Sequence, residues 1–316
     1  MSDNNLERVP LYFGPPDGFP ASDELPDGVK VVTFADRGGN AVDFRPDVVY
    51  DERDGETLHL QLFLPSDGMM MFGAPPKKHP LIVYVPGSAW MRQVVHMALA
   101  KMVRVCEHGY AVAVVQYRPS DVAPFPAQIE DAKTAIRFMR RHADEYRIDA
   151  DKIAIWGDSS GGHTAVSVGI TGDGLLDNGT YGDTSCSVNC VVDWYGATEI
   201  AVMNYYAGGM DHIAANSPEG MLIGGLDVFE NLDKARKVSP LYYLDPERAT
   251  PPMLIMHGDR DPLVPFNQSV RLYEALRAQG KTAELYKLIG GAHGSGGFDG
   301  DEAIELVLEY VGRYLS

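Results

Sequence analysis

One turn restricts the fold of this chain more than any other feature. Residues 152–162 have the sequence KIAIWGDSSGG, in which an apolar run ends in a glycine-rich turn, and the small residues of 163–168 follow at once. This pattern predicts a strand, a tight turn and a helix, with Ser159 between two glycines. Two interpretations are open at this point. The turn is either a nucleophile elbow that raises the Ser159 hydroxyl above a sheet, or a glycine-rich loop that binds phosphate at a helix N-terminus.

Uniformly apolar runs on the N-terminal side of this turn predict a mostly parallel sheet. Segments 81–85 and 110–115 have the composition of strands that are covered on both faces. Helical periodicity over 94–107 and 128–148 supplies the crossovers between such strands. The alternation of strand and helix therefore predicts an α/β fold with helices on both faces of the sheet.

Prolines and glycines are dense at the start of the chain, in a predicted N-terminal extension over residues 1–45. We expect the proline-rich part to cross the surface without regular structure. Segments 29–34, 47–50 and 57–65 are predicted strands that open the sheet in antiparallel fashion, the last on its alternating leucines. Segment 68–80 is predicted to be an irregular connection, with an apolar flap near a site as the alternative.

Length and charge narrow the class of protein. A chain of 316 residues with 45% hydrophobic residues predicts a single α/β domain, residues 1–316, with insertions. The formal net charge of −17 argues against nucleic acid and anionic membrane surfaces as partners, because a field of that sign repels them. A neutral or cationic small-molecule substrate fits this charge better, and a homo-oligomer stays open.

The N-terminal residues and the cysteines bear on location. The start MSDNNLERVP lacks the basic and apolar regions of a signal peptide, and no segment approaches the length of a membrane span, so a cytoplasmic location is expected. The three cysteines are too few for a disulfide framework. They are interpreted as packing residues, and a pairing of Cys186 with Cys190 is left open.

Residues 199 to about 240 interrupt the alternation of strands and helices after the sixth strand. Their aromatic and methionine residues follow no strict period, which predicts an inserted cap of short helices. Tyr205 and Tyr206 are candidates for lining an acyl or aryl pocket. The alternative is that the aromatic residues only dock the cap on the core.

Candidate partners for Ser159 follow it in the chain. A catalytic serine needs a base, a carboxylate that orients the base, and donors for an oxyanion. Asp259 and Asp261 lie in a loop after one apolar strand, and His293 lies in a loop after the next. The order Ser, Asp, His is that of the α/β-hydrolases, which favours the nucleophile elbow and leaves two aspartates to choose from.

Several motifs together resemble the α/β-hydrolase esterases, in the hormone-sensitive-lipase branch that includes bacterial feruloyl and acetyl-xylan esterases. They are GDSSGGH, HGDRDPLVP, GGAHG and DAKTAIRFMRRHADEYRID, and the resemblance covers about residues 45–316. It implies the α/β-hydrolase fold and a triad of Ser159, Asp261 and His293. The acid of such a family loop is its second aspartate, so Asp259 is then a turn residue.

The loop expected to form the oxyanion hole departs from the family pattern. The family usually has His-Gly-Gly-Gly or His-Gly-Gly-Ala-Trp where this chain has Pro86 to Trp90, PGSAW. The resemblance implies the backbone N–H groups of Ser88, Ala89 and Ser160 as donors. Proline has no N–H, so the bracing of this loop must come from elsewhere. The candidate substrate-binding residues are Trp90, Tyr195, Tyr205 and Tyr206.

The function that the resemblance implies is a serine carboxylesterase. Its substrates would be short acyl or hydroxycinnamoyl esters of sugars or alcohols, cleaved through an acyl-enzyme without a metal or cofactor. An arylformamidase or a peptidase on the same triad is one alternative. A non-catalytic ligand-binding protein on this fold is the other, although such proteins typically lack a triad member.

Overall fold

A single eight-stranded sheet organises the chain. The computed structural model describes residues 18–33, 41–66 and 77–316. The strands lie in the order β1-β2-β4-β3-β5-β6-β7-β8 across the sheet. Their bounds are β1 Ala41–Arg53, β2 Glu56–Ser66, β3 His79–Val85, β4 Ala111–Val115, β5 Ile148–Asp158, β6 Cys190–Trp194, β7 Met253–Gly258 and β8 Ala283–Leu288.

The sheet is parallel except at its first edge. Strand β2 pairs antiparallel with both β1 and β4, and β3 to β8 are parallel to one another. Every residue of β4, β6 and β7 is buried, as expected for strands covered on both faces. The predicted fold class, an α/β-hydrolase fold with a mostly parallel sheet, is confirmed.

Helices cover both faces of the sheet and divide its core in two. Helices α2, α3 and α6 pack on one face, with Ile129, Ala165 and Leu272 in that cluster. Helices α1 and α7 pack on the other face, through residues such as Met102 and Val307. The helix bounds are α1 Leu99–Glu107, α2 Ala127–Arg141, α3 Ser160–Thr171, α4 Pro218–Leu222, α5 Leu232–Lys237, α6 Asn267–Ala278 and α7 Asp301–Leu315.

Short helices occupy the segment between β6 and β7 that the sequence marked as a cap. Helices α4 and α5 lie here, together with 3₁₀ helices at Ile200–Tyr205 and Pro240–Tyr243. They enclose a third, smaller apolar cluster that includes Leu222 and Val228 of the cap and Trp90 of the core. This cluster fixes the cap over the carboxyl ends of the strands.

The N-terminal predictions need correction. Residues 29–33 form no strand and are exposed, because they have no neighbouring strand to pair with in the described structure. Strand β1 begins at Ala41, so the boundary placed at residue 45 falls inside it. Pairing from Ala41 with Ser66 to Arg53 with Glu56 extends β1 through polar residues that hydrophobic patterning does not reveal. Residues 1–17, 34–40 and 67–76, and with them most of the segment 68–80, lie outside the described residues. Among those described, no helix is long and apolar enough to cross a membrane.

Candidate active site

The turn after β5 holds Ser159 in a strained conformation. Its φ is 54° and its ψ is −124°, and α3 begins at the next residue. A Cβ at Gly161 would lie 1.9 Å from the carbonyl oxygen of Val85, and one at Gly157 would lie 2.1 Å from that of Gly161. Only glycine therefore fits at these two positions, and the close approach they permit raises the serine above the sheet.

Three side chains predicted to act together meet at the carboxyl ends of the strands. His293 Nε2 lies 2.9 Å from Ser159 Oγ, and His293 Nδ1 lies 2.7 Å from Asp261 Oδ2. The three residues follow β5, β7 and β8, whose parallel direction brings their loops to one edge of the sheet. A continuous series of hydrogen bonds therefore connects the serine hydroxyl, through His293, to a fully buried carboxylate.

The two oxygens of Asp261 have separate partners. Oδ1 accepts hydrogen bonds from the backbone N–H groups of Leu263 and Val264, at 2.8 and 2.9 Å. Oδ2 faces His293 and lies 3.3 Å from His257 Nε2. Burial would raise the pKa of Asp261, but the hydrogen bonds from His257 and His293 hold it well below its usual range. The carboxylate is therefore ionised and fixed in orientation.

Asp259, the competing acid, has a different contact. Its Oδ1 accepts a hydrogen bond of 2.7 Å from the backbone N–H of Gly290. Asp259 thus joins the loop after β7 to the turn after β8. The geometry places Asp261 at the histidine and Asp259 in the turn.

In the loop after β3, one of the three predicted oxyanion donors is already engaged in a hydrogen bond. The N–H of Ser88 donates to Ser160 Oγ at 2.8 Å, so it is not an open oxyanion donor. The Ser160 hydroxyl is held beneath the loop by Tyr117, at 3.1 Å. Within the described part of the chain, the N–H groups of Ala89 and Ser160 have no hydrogen-bond partner. Ala89, with φ at 55°, turns its backbone in a left-handed conformation at this point.

Gln93 supplies the bracing that Pro86 cannot. Its Nε2 donates to the carbonyl oxygens of Pro86 at 2.9 Å and Val115 at 3.2 Å. Its Oε1 accepts from the N–H of Tyr117 at 2.8 Å. The buried glutamine therefore ties the loop to β4. Sequence reasoning missed Gln93 and Tyr117, since neither belongs to a motif.

A cleft of about 550 Å³ lies over Ser159, and two of the four predicted substrate-binding residues line it. These are Trp90 and Tyr195. Tyr205 is 69% exposed and stacks on Phe229 at 5.9 Å, and Tyr206 is 40% exposed. The assignment of Tyr205 and Tyr206 to the pocket is therefore wrong in this structure. Tyr205 ends the 3₁₀ helix Ile200–Tyr205, whose buried residues are Ile200, Ala201 and Met203, and Tyr206 follows that helix.

The two aromatic residues that line the cleft have distinct contacts. The Tyr195 ring packs against His293, with centroids 4.7 Å apart. Trp90 Nε1 donates to His163 Nδ1 at 3.0 Å, and His163 Nε2 lies 2.8 Å from the carbonyl oxygen of Val238. Burial lowers the pKa of His163 to about 4, so this histidine is neutral and structural.

An ion pair in the cap also lines the cleft and carries no sequence motif. His212 Nδ1 lies 2.9 Å from Glu219 Oε1, and both side chains are 3% exposed. Burial would lower the pKa of His212, but Glu219 and the backbone of Leu263 raise it above its usual value.

A second acidic group lies outside the cleft. Asp173, Asp177 and Cys186 are close together, but Arg137 lies 2.6 Å from Asp177 and 3.2 Å from Asp173. The arginine satisfies these carboxylates and ties α2 to the loop after α3. Cys106, Cys186 and Cys190 are free and buried.

Fold and site together define the class. An eight-stranded α/β-hydrolase sheet presents a serine, an aspartate and a histidine in hydrogen-bonded series on the loops that follow β5, β7 and β8 at its carboxyl edge. The family model described as BD-FAE matches residues 71–276, and the chain belongs to this family.

Individual relatives agree with this assignment. Esterase LipQ of Mycobacterium tuberculosis is 27% identical over 250 residues, which are 77% of this chain and 56% of LipQ. A solved structure called a truncated form of carbohydrate esterase from gut microbiota has a TM-score of 0.75 and 29% identity, covering 88% of this chain and 98% of its own. The Est2 esterase of Thermogutta terrifontis, with propionate bound, has a TM-score of 0.67 and 25% identity, covering 88% and 96%. The chain spans between half and two thirds of the length of two curated relatives, LipQ and LipC of Mycobacterium tuberculosis.

Proposed function

We propose that this chain is a serine carboxylesterase that works through an acyl-enzyme. The observation that carries the proposal is the hydrogen-bonded series from Ser159 through His293 to Asp261, at the base of an accessible cleft. Such a series activates a serine that is otherwise a weak nucleophile at neutral pH. The esterase names of the relatives support the same activity.

In the first half of the reaction, Ser159 attacks the ester carbonyl carbon. His293 Nε2 takes the Oγ proton, and Asp261 stabilises the resulting imidazolium. The N–H groups of Ala89 and Ser160 donate to the oxyanion of the tetrahedral intermediate. The carbon–oxygen bond to the alcohol then breaks, and the departing alkoxide takes its proton from His293.

In the second half, water releases the acid. His293 accepts a proton from a water molecule, the hydroxide formed attacks the acyl carbon, and Ser159 leaves with the proton returned by His293. Because Asp261 stays ionised throughout, its role is to hold one tautomer of the histidine and to balance its charge.

The proposed substrates are short acyl or hydroxycinnamoyl esters of sugars or alcohols. A cleft of about 550 Å³ is within the range of small-molecule sites. The carbohydrate esterase among the solved structures and the propionate bound to Est2 support this choice. The anionic surface favours neutral esters over anionic ones.

Active-site labelling and ester hydrolysis test the proposal together. Wild-type protein is expected to release p-nitrophenol from the acetate and butyrate esters and to be labelled at Ser159 by a fluorophosphonate, whereas Ser159→Ala does neither. The matched control is Ser187→Ala, at an exposed serine that does not line the cleft, which is expected to keep both turnover and the label. Unlabelled wild-type protein without turnover contradicts the proposal. If the protein cleaves N-formylkynurenine in preference to phenyl esters, the triad belongs to an arylformamidase instead. If it prefers aminoacyl anilides, the triad belongs to a peptidase.

A further inference from the structure

A lysine at the wall of the cleft lies over three aromatic rings. Lys101, on α1, places Nζ 4.6 Å from the ring centroid of Trp194, 5.1 Å from that of Tyr84 and 5.6 Å from that of Trp156. Cation–π contacts of this kind hold an ammonium group without using its N–H donors. The rings therefore fix the position of the charge and leave the donors free.

The ammonium group of Lys101 has no hydrogen-bond or ion-pair partner within residues 18–33, 41–66 and 77–316. Lys101 lines the cleft that also contains Ser159. Burial lowers the pKa of Lys101, and the carboxylates of Asp158 and Asp299 oppose that effect. A half-buried donor group without an acceptor is costly, and a ligand that supplies an acceptor recovers that cost.

Acceptors lie beside this donor. Asp158 uses Oδ1 to accept hydrogen bonds from the Tyr84 hydroxyl and from the N–H of Gly87. Its Oδ2 has no hydrogen-bond partner among the residues that the structure describes. Asp299 is exposed and lines the same wall. One ammonium and two carboxylates therefore line the cleft that contains the nucleophile.

This combination selects one kind of ligand group. An anionic group would meet the carboxylates of Asp158 and Asp299 and the net charge of −17. An apolar group would leave the lysine without an acceptor. A hydroxyl group satisfies both sides, because it accepts from Lys101 and donates to Asp158.

We propose that Lys101 and Asp158 form a subsite for the hydroxyl groups of a polyhydroxylated alcohol, so that the enzyme prefers acyl esters of sugars to esters of simple alcohols. The inference rests on the proposed esterase function. We assign the subsite to the alcohol part of the ester, which takes its proton from His293, and Asp299, six residues after His293, lines the same cleft.

Two acetate esters of secondary alcohols isolate the effect. One is a mono-O-acetylated methyl xyloside, and the other is cyclohexyl acetate, which has the same acyl group and a six-membered ring without neighbouring hydroxyls. Wild-type protein is expected to have the higher kcat/KM for the sugar ester. Lys101→Met keeps an unbranched side chain over the rings and is expected to lower the ratio of the two kcat/KM values about 10- to 100-fold, the loss of one charged hydrogen bond. Lys234→Met, at an exposed position of α5, is the matched control and keeps the ratio.

The outcomes separate this inference from the proposed function. A folded Lys101→Met variant with the wild-type ratio overturns the subsite and leaves the esterase proposal in place. If that variant shows no cooperative thermal unfolding, Lys101→Leu, which also lacks a donor, replaces it, and a ratio unchanged there has the same consequence. Cyclohexyl lactate carries its hydroxyl on the acyl part instead of the alcohol part. If Lys101→Met lowers kcat/KM for cyclohexyl lactate, relative to cyclohexyl acetate, by as much as it does for the sugar ester, the assignment to the alcohol is overturned. Wild-type protein that cleaves neither ester and takes no fluorophosphonate overturns both proposals.

Discussion

Replacing Asp261 by asparagine tests whether its two side-chain oxygens need different hydrogen-bond partners. Two backbone N–H groups, those of Leu263 and Val264, point at Oδ1, whereas the histidines face Oδ2. The asparagine oxygen is expected to take the place of Oδ1, because the opposite orientation leaves two buried donors unsatisfied at about 1–3 kcal/mol each. The NH₂ group then faces His293.

The consequence is a change of tautomer. Facing an NH₂ donor, Nδ1 of His293 must accept a hydrogen bond, so its proton moves to Nε2. A protonated Nε2 cannot take the hydrogen of Ser159. We expect kcat to fall by about 10⁴, equivalent to roughly 5.5 kcal/mol of activation free energy, with a KM close to that of the wild type.

Steady-state hydrolysis of p-nitrophenyl butyrate measures this effect, with folding checked by thermal unfolding. Asp259→Asn is the matched control, since it changes an aspartate two residues away that bonds only to a turn N–H in the described structure. It is expected to retain turnover within about threefold, as for a surface substitution. Wild-type turnover in Asp261→Asn combined with loss in Asp259→Asn would refute the tautomer argument and the choice of acid.

Two further predictions concern residues that no motif reveals. Glu219→Gln leaves the charge of His212 buried and unpaired, so the free energy of unfolding in urea at pH 6 should fall by about 3–5 kcal/mol. Because Glu219 raises the pKa of His212, the stabilisation is fully present below a pH of about 6.5 and is lost as the pH rises through the raised pKa. If the difference in the free energy of unfolding between wild type and Glu219→Gln stays constant up to pH 8.5, this explanation is wrong. Gln93→Leu removes the bonds to Pro86 and Tyr117 and is expected to lower kcat about 10- to 100-fold by loosening the oxyanion loop. Unchanged kcat for p-nitrophenyl acetate in the folded variant would show that the loop holds its shape without this side chain.

The parts of the fold visible in the sequence are those that local chemistry dictates. The buried strands β3, β4, β6 and β7 appear as apolar runs because both of their faces are covered. The turn at Ser159 is visible because only glycine fits at Gly157 and Gly161. These signals are carried by consecutive residues and so can be recognised without a structure.

Features that depend on contacts distant in sequence could not be predicted. Strand β1 owes its length to pairing with β2, and nothing within its own residues marks the start at Ala41. The Ser88 N–H is diverted by a serine 72 positions away. Tyr205 follows no period that tells its outward orientation from a pocket position. In each case the deciding partner is set by the tertiary fold.

Helix α7 lies away from the triad but supports the loop that carries His293. Phe298, just before α7, packs on Tyr195 at 4.6 Å, and the Tyr195 ring packs on His293. Helix α7 buries Ile304, Val307 and Val311 behind these aromatic rings. A reading frame that stops before Asp301 would therefore encode all three residues of the triad and still lack the support on which the histidine loop lies. Alleles truncated in this helix are expected to lose the proposed esterase activity, although Ser159, Asp261 and His293 are intact.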